Sequence, residues 1–292
     1  MSLPDYASAL LDSALPHKEA LAGLVRPALL ALAPDAEGCD TLGVSYLGGT
    51  PDAPPEFAWP THQGSPLAFI AQIDLAELPD FPGRALLPAG GRLWFFYEAW
   101  SLPEDAEPGT AVVLYSDAPT EDLEPAEVPD DLDQRYAYDP LRLYFEVINT
   151  VPDCDHPALY RLGLSEEQTY DYAAVIADVN RFRDNVPRLG HNQMLGYPEP
   201  VQTTPCSAAE ARFGEQVEFY QLSPEEIEEA GRAQDARAEE WELLLQVDTQ
   251  PDWRGKANGM KWGNSGRLYF LIRRADLMER RFESVRCLLQ NA

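Results

Sequence analysis

The hydrophobic positions divide the chain into a leucine-rich N-terminal segment followed by shorter apolar runs. Between Leu3 and Leu32, apolar residues recur at helical intervals, and Pro16 and Pro27 interrupt the run. Proline removes a helical hydrogen bond and clashes with the preceding turn, so this spacing predicts several short helices rather than one long helix. We therefore expect residues 1–40 to form an N-terminal helical segment.

The apolar runs further along the chain predict a β-rich core with two well-defined helices. Short runs rich in branched and aromatic residues are typical of buried strands. The predicted strands are Leu67–Ile73, Arg92–Tyr97, Ala111–Tyr115, Leu141–Ile148, Glu242–Val247, Arg267–Ile272 and Val285–Leu289. Ser165 and Ser223 each precede a glutamine or glutamate by three residues, and this capping-box pattern predicts the start of a helix. The combination indicates an α+β fold.

Two blocks of sequence occur twice at nearly the same separation. Phe69–Asp74 (FIAQID) parallels Leu243–Asp248 (LLLQVD), and Gly91–Phe96 (GRLWFF) parallels Gly266–Leu271 (GRLYFL). From the glutamine of one block to the arginine of the next, the intervals are 20 and 21 residues. Matched blocks at matched spacing are the signature of a repeat. We therefore predict an internal duplication, with two intertwined β-rich repeats that share one core and carry flanking helices.

The predicted boundaries follow from this repeat. Residues 41–150 form the first repeat with an acidic loop, and residues 151–292 form the second repeat with a helical insertion at 165–241. Each half is too small to bury its own sheet, so we expect the two repeats to pack as one globular unit.

The duplicated blocks place Gln72, Asp74, Gln246 and Asp248 at the ends of buried strands. A buried polar group that lacks a partner costs about 1–3 kcal/mol, so such residues most often bond to nearby loop backbone. The alternative is that the two pairs converge on a ligand in a cleft between the repeats. The first interpretation gives these four residues a structural role, and the second makes them a binding site.

Several blocks resemble the YwqG-like family of bacterial proteins of unknown function. The resemblance lies in Ser45–Gly49 (SYLGG), Phe57–Pro60 (FAWP), Pro66–Asp74 and Gly91–Phe96, and then in His191–Pro198, Leu243–Asp248, Trp262–Phe270 and Phe282–Gln290. It implies an α+β fold with a tandem duplication in the bacterial cytoplasm. Members often occur near loci for secreted toxins, which implies toxin neutralisation as a role. Tyr46 stands where the family commonly has a lysine, so any ligand bound by that lysine has lost its contact here.

The charge balance narrows the possible partners. The chain has 49 acidic and 22 basic residues, which gives a formal net charge of −27. Such a surface repels nucleic acid and anionic membranes and attracts basic proteins, for example a toxin domain. The alternative is that acidity only maintains solubility. Residues 93–134 contain no lysine or arginine, and we expect most of this segment to be a solvated loop.

The candidate chemistry is sparse, and no cofactor is predicted. The four cysteines lie far apart without a CxxC pair, which indicates free thiols and a cytoplasmic protein. Asp153–His156 (DCDH) gathers metal-ligand types, but a polar loop is the better explanation because further ligands are not apparent. No phosphate-binding, zinc-protease or nucleophile-elbow motif occurs. These absences favour a non-catalytic protein-binding module over an enzyme or small-ligand sensor that uses the cleft between the repeats. The family resemblance implies, more narrowly, an immunity protein that neutralises a secreted toxin.

Three further residues complete the candidate binding residues. His191 precedes a Leu-Gly-Tyr-Pro turn, where its ring can either brace the turn or act as a base. Trp59 and Trp262 lie in loops beside Pro60 and Gly263, where aromatic rings anchor loops or line a groove. With Gln72, Asp74, Gln246 and Asp248, they form the set of ligand or partner-binding candidates.

Overall fold

The structure is a computed structural model that describes residues 5–102, 109–184, 191–216, 222–250 and 258–291. The helices in these residues are α1 (Tyr6–Asp12), α2 (Lys18–Ala22), α3 (Pro157–Tyr160), α4 (Glu166–Asp184), α5 (Pro205–Phe213), α6 (Pro224–Ala238) and α7 (Arg274–Met278). The longer strands are β1 (Arg26–Leu32), β6 (Ala68–Asp74), β7 (Arg92–Tyr97), β8 (Ala111–Ser116), β11 (Tyr144–Thr150), β13 (Trp241–Asp248), β14 (Arg267–Arg273) and β15 (Arg286–Gln290). The short strands are β2 (Tyr46–Leu47), β3 (Asp52–Ala53), β4 (Thr61–His62), β5 (Ser65–Pro66), β9 (Glu124–Pro125), β10 (Leu141–Arg142) and β12 (Gln193–Met194). The fold is therefore mixed α+β.

Two antiparallel sheets organise the molecule. One has six strands in the order β11-β1-β12-β13-β14-β15, and the other has five in the order β10-β2-β6-β7-β8. Two short pairs, β3 with β9 and β4 with β5, complete the strand pairing in the described residues. The hairpins β6–β7 and β13–β14 each contain one register irregularity, near Phe69 and Leu243 respectively.

The two sheets bury their facing sides in one hydrophobic core. Ile70, Leu93 and Phe95 of the five-stranded sheet belong to the same buried cluster as Leu245 and Phe270 of the six-stranded sheet. The rings of Phe95 and Phe270 meet edge to face, with their centroids 5.1 Å apart. Burying large apolar side chains on both sides of each sheet is the main stabilising term for such a core.

The N-terminal segment differs from its predicted helical form. Residues 6–22 contain α1 and α2, but residues 26–32 form the strand β1, so the helix prediction was wrong for this stretch. Ala28–Ala31 is buried between neighbours on both sides, and Pro27 lies near the start of the strand, where proline is tolerated. A run of leucines fits helical and strand spacing equally well, and the tertiary pairing with β11 and β12 decides between them.

The predicted strand Leu141–Ile148 is likewise corrected to two strands in different sheets. Arg142 of β10 pairs with Tyr46 in the five-stranded sheet, whereas Tyr144 of β11 pairs with Leu32 in the six-stranded sheet. The buried Leu143 lies at the crossing. Apolar alternation continues through this crossing, so the pattern alone does not reveal that the chain changes sheets.

Helix α5 packs against β13, β14 and β15 of the six-stranded sheet, and α1, α2 and α4 pack with one another. Leu10 of α1, Leu21 of α2 and Tyr172 of α4 form a separate apolar cluster. Ser223 and Glu226 make the predicted capping box at the start of α6, and Ser165 exchanges the corresponding hydrogen bonds with Gln168 at the start of α4. Among the described residues, no helix combines the length and apolarity needed to cross a bilayer.

Candidate functional site

A glutamine on β6 ties together two backbone segments and a buried indole. The amide oxygen Oε1 of Gln72 accepts hydrogen bonds from the Asp52 backbone N–H and the Trp94 indole N–H, each at 2.8 Å. Its Nε2 donates to the Val44 carbonyl at 2.8 Å and to Asp52 Oδ2 at 3.2 Å. Gln72 is fully buried, and the polar atoms of its amide all have partners inside the protein. Its geometry is that of a brace for the loop between residues 44 and 52.

Asp74 extends this brace at the end of β6. Its backbone N–H donates to Ser45 Oγ at 2.8 Å, and its Oδ1 accepts from the Ala76 N–H at 3.0 Å. Its Oδ2 lies 3.4 Å from Nη2 of the buried Arg92. We call the residues Val44, Asp52, Gln72, Asp74 and Arg92 the first frame.

A second arrangement of the same kind lies in the six-stranded sheet. Gln246 Oε1 accepts from the Glu199 N–H at 2.9 Å, and its Nε2 donates to the His191 carbonyl at 2.5 Å. Asp248 Oδ1 accepts from Arg267 Nε at 3.2 Å. We call the residues His191, Glu199, Gln246, Asp248 and Arg267 the second frame.

The two frames match in their bonding and differ in their exposure. In both, a strand glutamine holds one carbonyl and one N–H of the preceding loop, and an aspartate two residues later meets an arginine on the next strand. The loops turn through matching left-handed pairs, with φ of +64° and +72° at Gly48 and Gly49 and +60° and +68° at Leu195 and Gly196. In the first frame Arg92 is buried, whereas the second frame reaches the surface through His191.

The histidine of the second frame bonds to a carboxylate. His191 Nδ1 lies 2.6 Å from Glu199 Oε2, and both side chains are about a quarter exposed, at 27% and 24%. The same carboxylate oxygen lies 3.3 Å from Arg267 Nη1. Burial opposes the charge of Arg267, but Glu199 and Asp248 outweigh it and raise its pKa. The arrangement holds the turn in place and keeps Arg267 charged.

The two candidate tryptophans occupy different environments. Trp262 is fully buried between the sheets, edge to face with Tyr97 and Tyr138 at centroid distances of 6.0 Å. Its indole N–H has no hydrogen-bond partner in the described part of the chain. Trp59 is only half-buried, and its indole N–H donates to the Leu67 carbonyl at 2.9 Å. Trp59 therefore offers surface to a partner, whereas Trp262 does not in this conformation.

Trp59 lines a surface groove of about 420 Å³. One wall comes from the segment around β3, the other from the acidic segment around β9, and β3 pairs with β9 between them. The lining residues are Ala53, Pro54, Pro55, Phe57, Trp59, Glu124, Pro125, Ala126, Glu127, Val128, Pro129 and Asp130. We call it the Trp59 groove. Its volume falls within the roughly 300–1,000 Å³ range of ligand pockets, and its lining combines apolar walls with carboxylates.

The groove adjoins a strongly negative surface. The exposed carboxylates between residues 117 and 131 are Asp117, Glu121, Asp122, Glu124, Glu127, Asp130 and Asp131. None of them has an ion-pair partner among the residues that the structure describes. We call these seven residues the acidic face. Residues 40–134 hold eighteen acidic residues and only two arginines, so the charge is concentrated here rather than spread over the molecule.

The metal-like cluster Asp153–His156 has structural partners. Asp153 Oδ1 accepts from Thr204 Oγ1 at 2.6 Å, and His156 Nδ1 accepts from the Ala158 N–H at 3.1 Å at the start of α3. Burial lowers the pKa of His156 to about 4, so its ring is neutral near pH 7. Within the described residues, no group of three or more histidine, cysteine and acidic side chains is placed to hold a metal ion.

The sequence interpretation missed most of the groove. Phe57, Glu124, Glu127 and Val128 were not candidates, because a proline-rich acidic run has no periodicity that would predict packing. The available signal was the pair of proline-flanked stretches, Pro54–Pro60 and Pro125–Pro129, since proline-rich segments with aromatic residues often form preformed surfaces.

Comparison with known proteins identifies a family without assigning an activity. The sequence profile of a family described as Domain of unknown function (DUF1963) matches residues 45–290. The chain belongs to the DUF1963 family. No curated protein is significantly similar to this DUF1963 member. The second frame, the Trp59 groove and all of the first frame except Val44 lie inside the matched range, so they are features of the DUF1963 domain of this chain.

Proposed function

We propose that this protein is a non-catalytic binding protein whose acidic face associates with a basic protein partner. The observation that carries the proposal is the seven exposed carboxylates, which have no ion-pair partner among the described residues, beside a groove lined by Trp59. A carboxylate in an internal ion pair has its charge neutralised by its partner. An unpaired, exposed carboxylate still attracts a positively charged ligand.

Electrostatic steering and an aromatic anchor together make an effective binding surface. Exposed charges of one sign raise the association rate with an oppositely charged protein, and rim charges act mainly on that rate. Aromatic residues in a desolvated pocket supply most of the affinity in many interfaces. The acidic face provides the first property, and Phe57 and Trp59 in the groove provide the second.

The finer proposal concerns the partner and the setting. A secreted toxin domain with a basic surface is the partner class that we propose, which makes this cytoplasmic YwqG-like protein an immunity protein. The family association noted from the sequence and the local excess of acid support it. We also propose that residues 41–150 and 151–292 are two intertwined repeats. The matched bonds of the two frames support this duplication.

Among the candidate residues, we propose a partner contact for Trp59 and bracing roles for the others. Gln72 and Gln246 already bond to loop backbone, and Asp74 and Asp248 bond to arginines. The alternative, an enzyme or small-ligand sensor in the cleft between repeats, requires such groups to be available to a ligand. Their internal bonding therefore favours the binding protein.

Affinity capture followed by reconstitution tests the proposal. The purified protein is immobilised, bound proteins are eluted with salt and identified, and the complex is rebuilt from purified components for calorimetry. The acidic-face variant removes four charges: Glu121→Gln, Asp122→Asn, Glu124→Gln and Glu127→Gln. The matched control removes four exposed carboxylates elsewhere: Asp171→Asn, Glu225→Gln, Glu229→Gln and Glu283→Gln.

The variants share one net charge and differ only in where charge is lost. We expect the acidic-face variant to bind the basic partner roughly tenfold or more weakly, and the control to bind within about twofold of the original. A partner that is not basic, or equal losses for both variants, would contradict the proposal.

A further inference from the structure

We infer that the Trp59 groove binds an arginine side chain of the partner. This inference rests on the proposed function, and it adds the chemistry of the contact. The groove has an aromatic wall and a carboxylate wall, and the described residues that line it include no lysine or arginine. A planar guanidinium matches both walls, since it stacks on aromatic rings and forms paired hydrogen bonds with carboxylates.

The aromatic wall is held rigidly before any ligand arrives. The Trp59 indole is fixed through its hydrogen bond to Leu67, and its ring packs edge to face on the buried Phe96 at a centroid distance of 5.5 Å. Phe57 packs at 6.1 Å on Phe96 and at 6.4 Å on Trp59. Fixed, half-exposed rings lose little conformational freedom when a ligand binds, which favours affinity.

The carboxylate wall determines the charge of the occupant. Glu124, Glu127 and Asp130 line the groove, are exposed, and have no ion-pair partner in the described residues. An apolar side chain in the groove would remove water from these carboxylates without replacing its hydrogen bonds, which is unfavourable. A cationic side chain donates hydrogen bonds to the carboxylates in place of the water. The wall therefore selects a basic occupant over an aliphatic one.

The protein already contains the complete arrangement elsewhere. In the six-stranded sheet, the Arg273 guanidinium lies 4.4 Å above the Trp241 ring and its Nη2 bonds to Glu210. The Trp59 groove has the tryptophan and the carboxylates of this arrangement, and no arginine is among the described residues that line it. The geometry of Arg273 shows that the three groups are compatible at one site, and it favours arginine over lysine.

Nuclear magnetic resonance of the whole protein tests the inference with defined probes. The ¹⁵N-labelled protein is titrated with N-acetyl-Gly-Arg-Gly-amide and, separately, with the same peptide carrying citrulline, an uncharged analogue of arginine. The reporter is the Trp59 indole N–H signal, assigned by its disappearance in Trp59→Phe. The groove variant is Glu124→Gln with Glu127→Gln, and the matched control is Glu121→Gln with Asp122→Asn, which lie outside the groove lining.

We expect a saturable shift of the Trp59 signal with the arginine peptide at millimolar concentration and about fivefold or more weaker binding of the citrulline peptide. The groove variant should lose about fivefold or more for the arginine peptide, and the control pair less than about twofold. Equal binding of the two peptides would overturn the inference in favour of an uncharged occupant. No shift with either peptide, or equal loss in both variants, would also overturn it. None of these three results contradicts the proposed function, because that proposal is tested by binding of the partner protein and not of the peptide.

Discussion

The acidic face beside the five-stranded sheet and the carboxylates of the six-stranded sheet differ in how far they are paired with arginines. Residues 40–134 contain eighteen acidic residues against two arginines, whereas residues 191–290 contain seventeen against twelve lysines and arginines. In the second region, carboxylates such as Glu210, Glu242 and Asp276 are paired with arginines. In the first, the acidic face has no such partners in the described residues.

This contrast shows that net charge alone does not indicate whether acidic residues stabilise the fold or are available for binding. If acidity served only solubility, an even distribution over the surface would suffice. Glu210 of the second region contributes to the fold, because its removal leaves the half-buried Arg237 and Arg273 without this buried partner. In the first region, Asp74 and Glu77 also pair with arginines, but the seven carboxylates of the acidic face have no ion-pair partner in the described residues and are available to a ligand.

The largest effect is expected from Glu210, whose side chain is fully buried. It bonds to Arg237 and Arg273 and accepts from the Trp241 indole at 3.2 Å. Replacing it by alanine leaves three donors without their acceptor, so Glu210→Ala should lower the free energy of unfolding by about 3–4 kcal/mol in denaturant titrations. Glu124→Ala is the control from the first region and should change it by less than about 0.5 kcal/mol. Similar losses for the two variants would remove the contrast between the regions.

The next effect is a pH dependence from His156. Burial disfavours the charged ring and lowers the pKa of His156 from the usual 6.5 to about 4 in the folded protein. Between these values only the unfolded chain binds the proton, so this residue lowers stability as pH falls from 6.5 to 4, by about 3 kcal/mol in total. Unfolding measured across this range for the original protein and for His156→Gln should show a smaller decline in the variant. Parallel curves would contradict the assignment.

A smaller loss is expected from either frame. Gln246→Ala removes the partners of the Glu199 N–H and the His191 carbonyl, and Gln72→Ala does the same for Asp52 and Val44. Each variant should lose about 2 kcal/mol of unfolding free energy in denaturant titrations, because backbone groups inside the protein are left without a hydrogen-bond partner. A variant that loses less than about 0.5 kcal/mol would show that its glutamine is not a brace and would reopen the ligand interpretation of that frame.

The smallest effect concerns the acidic face itself. The variant Glu121→Gln, Asp122→Asn, Glu124→Gln and Glu127→Gln should change the free energy of unfolding by less than about 1 kcal/mol in total, and in the stabilising direction, because it relieves repulsion between exposed like charges. Thermal unfolding at low and high salt measures this directly, and salt should narrow the difference. A loss above about 2 kcal/mol would mean that these carboxylates support the fold.

The sequence was informative where local physics and tertiary structure agree. The strands around Gln72 and Gln246 were predictable because buried strands of this length have continuous apolar runs, and both glutamines were correctly expected near loop backbone. The stretch 26–32 was not predictable, because its leucines suit a helix as well as a strand. The passage of the chain from one sheet to the other at Leu143 was also not predictable, since it is defined only by the pairing of β10 with β2 and of β11 with β1.

The candidate site was less predictable than the fold. Trp59 was recognisable as a loop aromatic, but the opposite wall of its groove comes from a segment with no hydrophobic period, so its apolar pattern does not predict that it pairs with β3. Trp262 has a similar loop context and is fully buried instead. Whether an aromatic residue in a loop faces the core or the solvent depends on contacts made by distant parts of the chain.

Amide hydrogen exchange on the reconstituted complex tests the central claim most directly. Because the acidic face and its groove are proposed to contact the partner, binding should slow exchange at residues 52–59 and 117–131. It should leave residues 205–213 and 286–290 on the other sheet unchanged. Protection confined to the six-stranded sheet, with exchange in the acidic segment unaltered, would contradict the claim that the unpaired carboxylates form the binding surface.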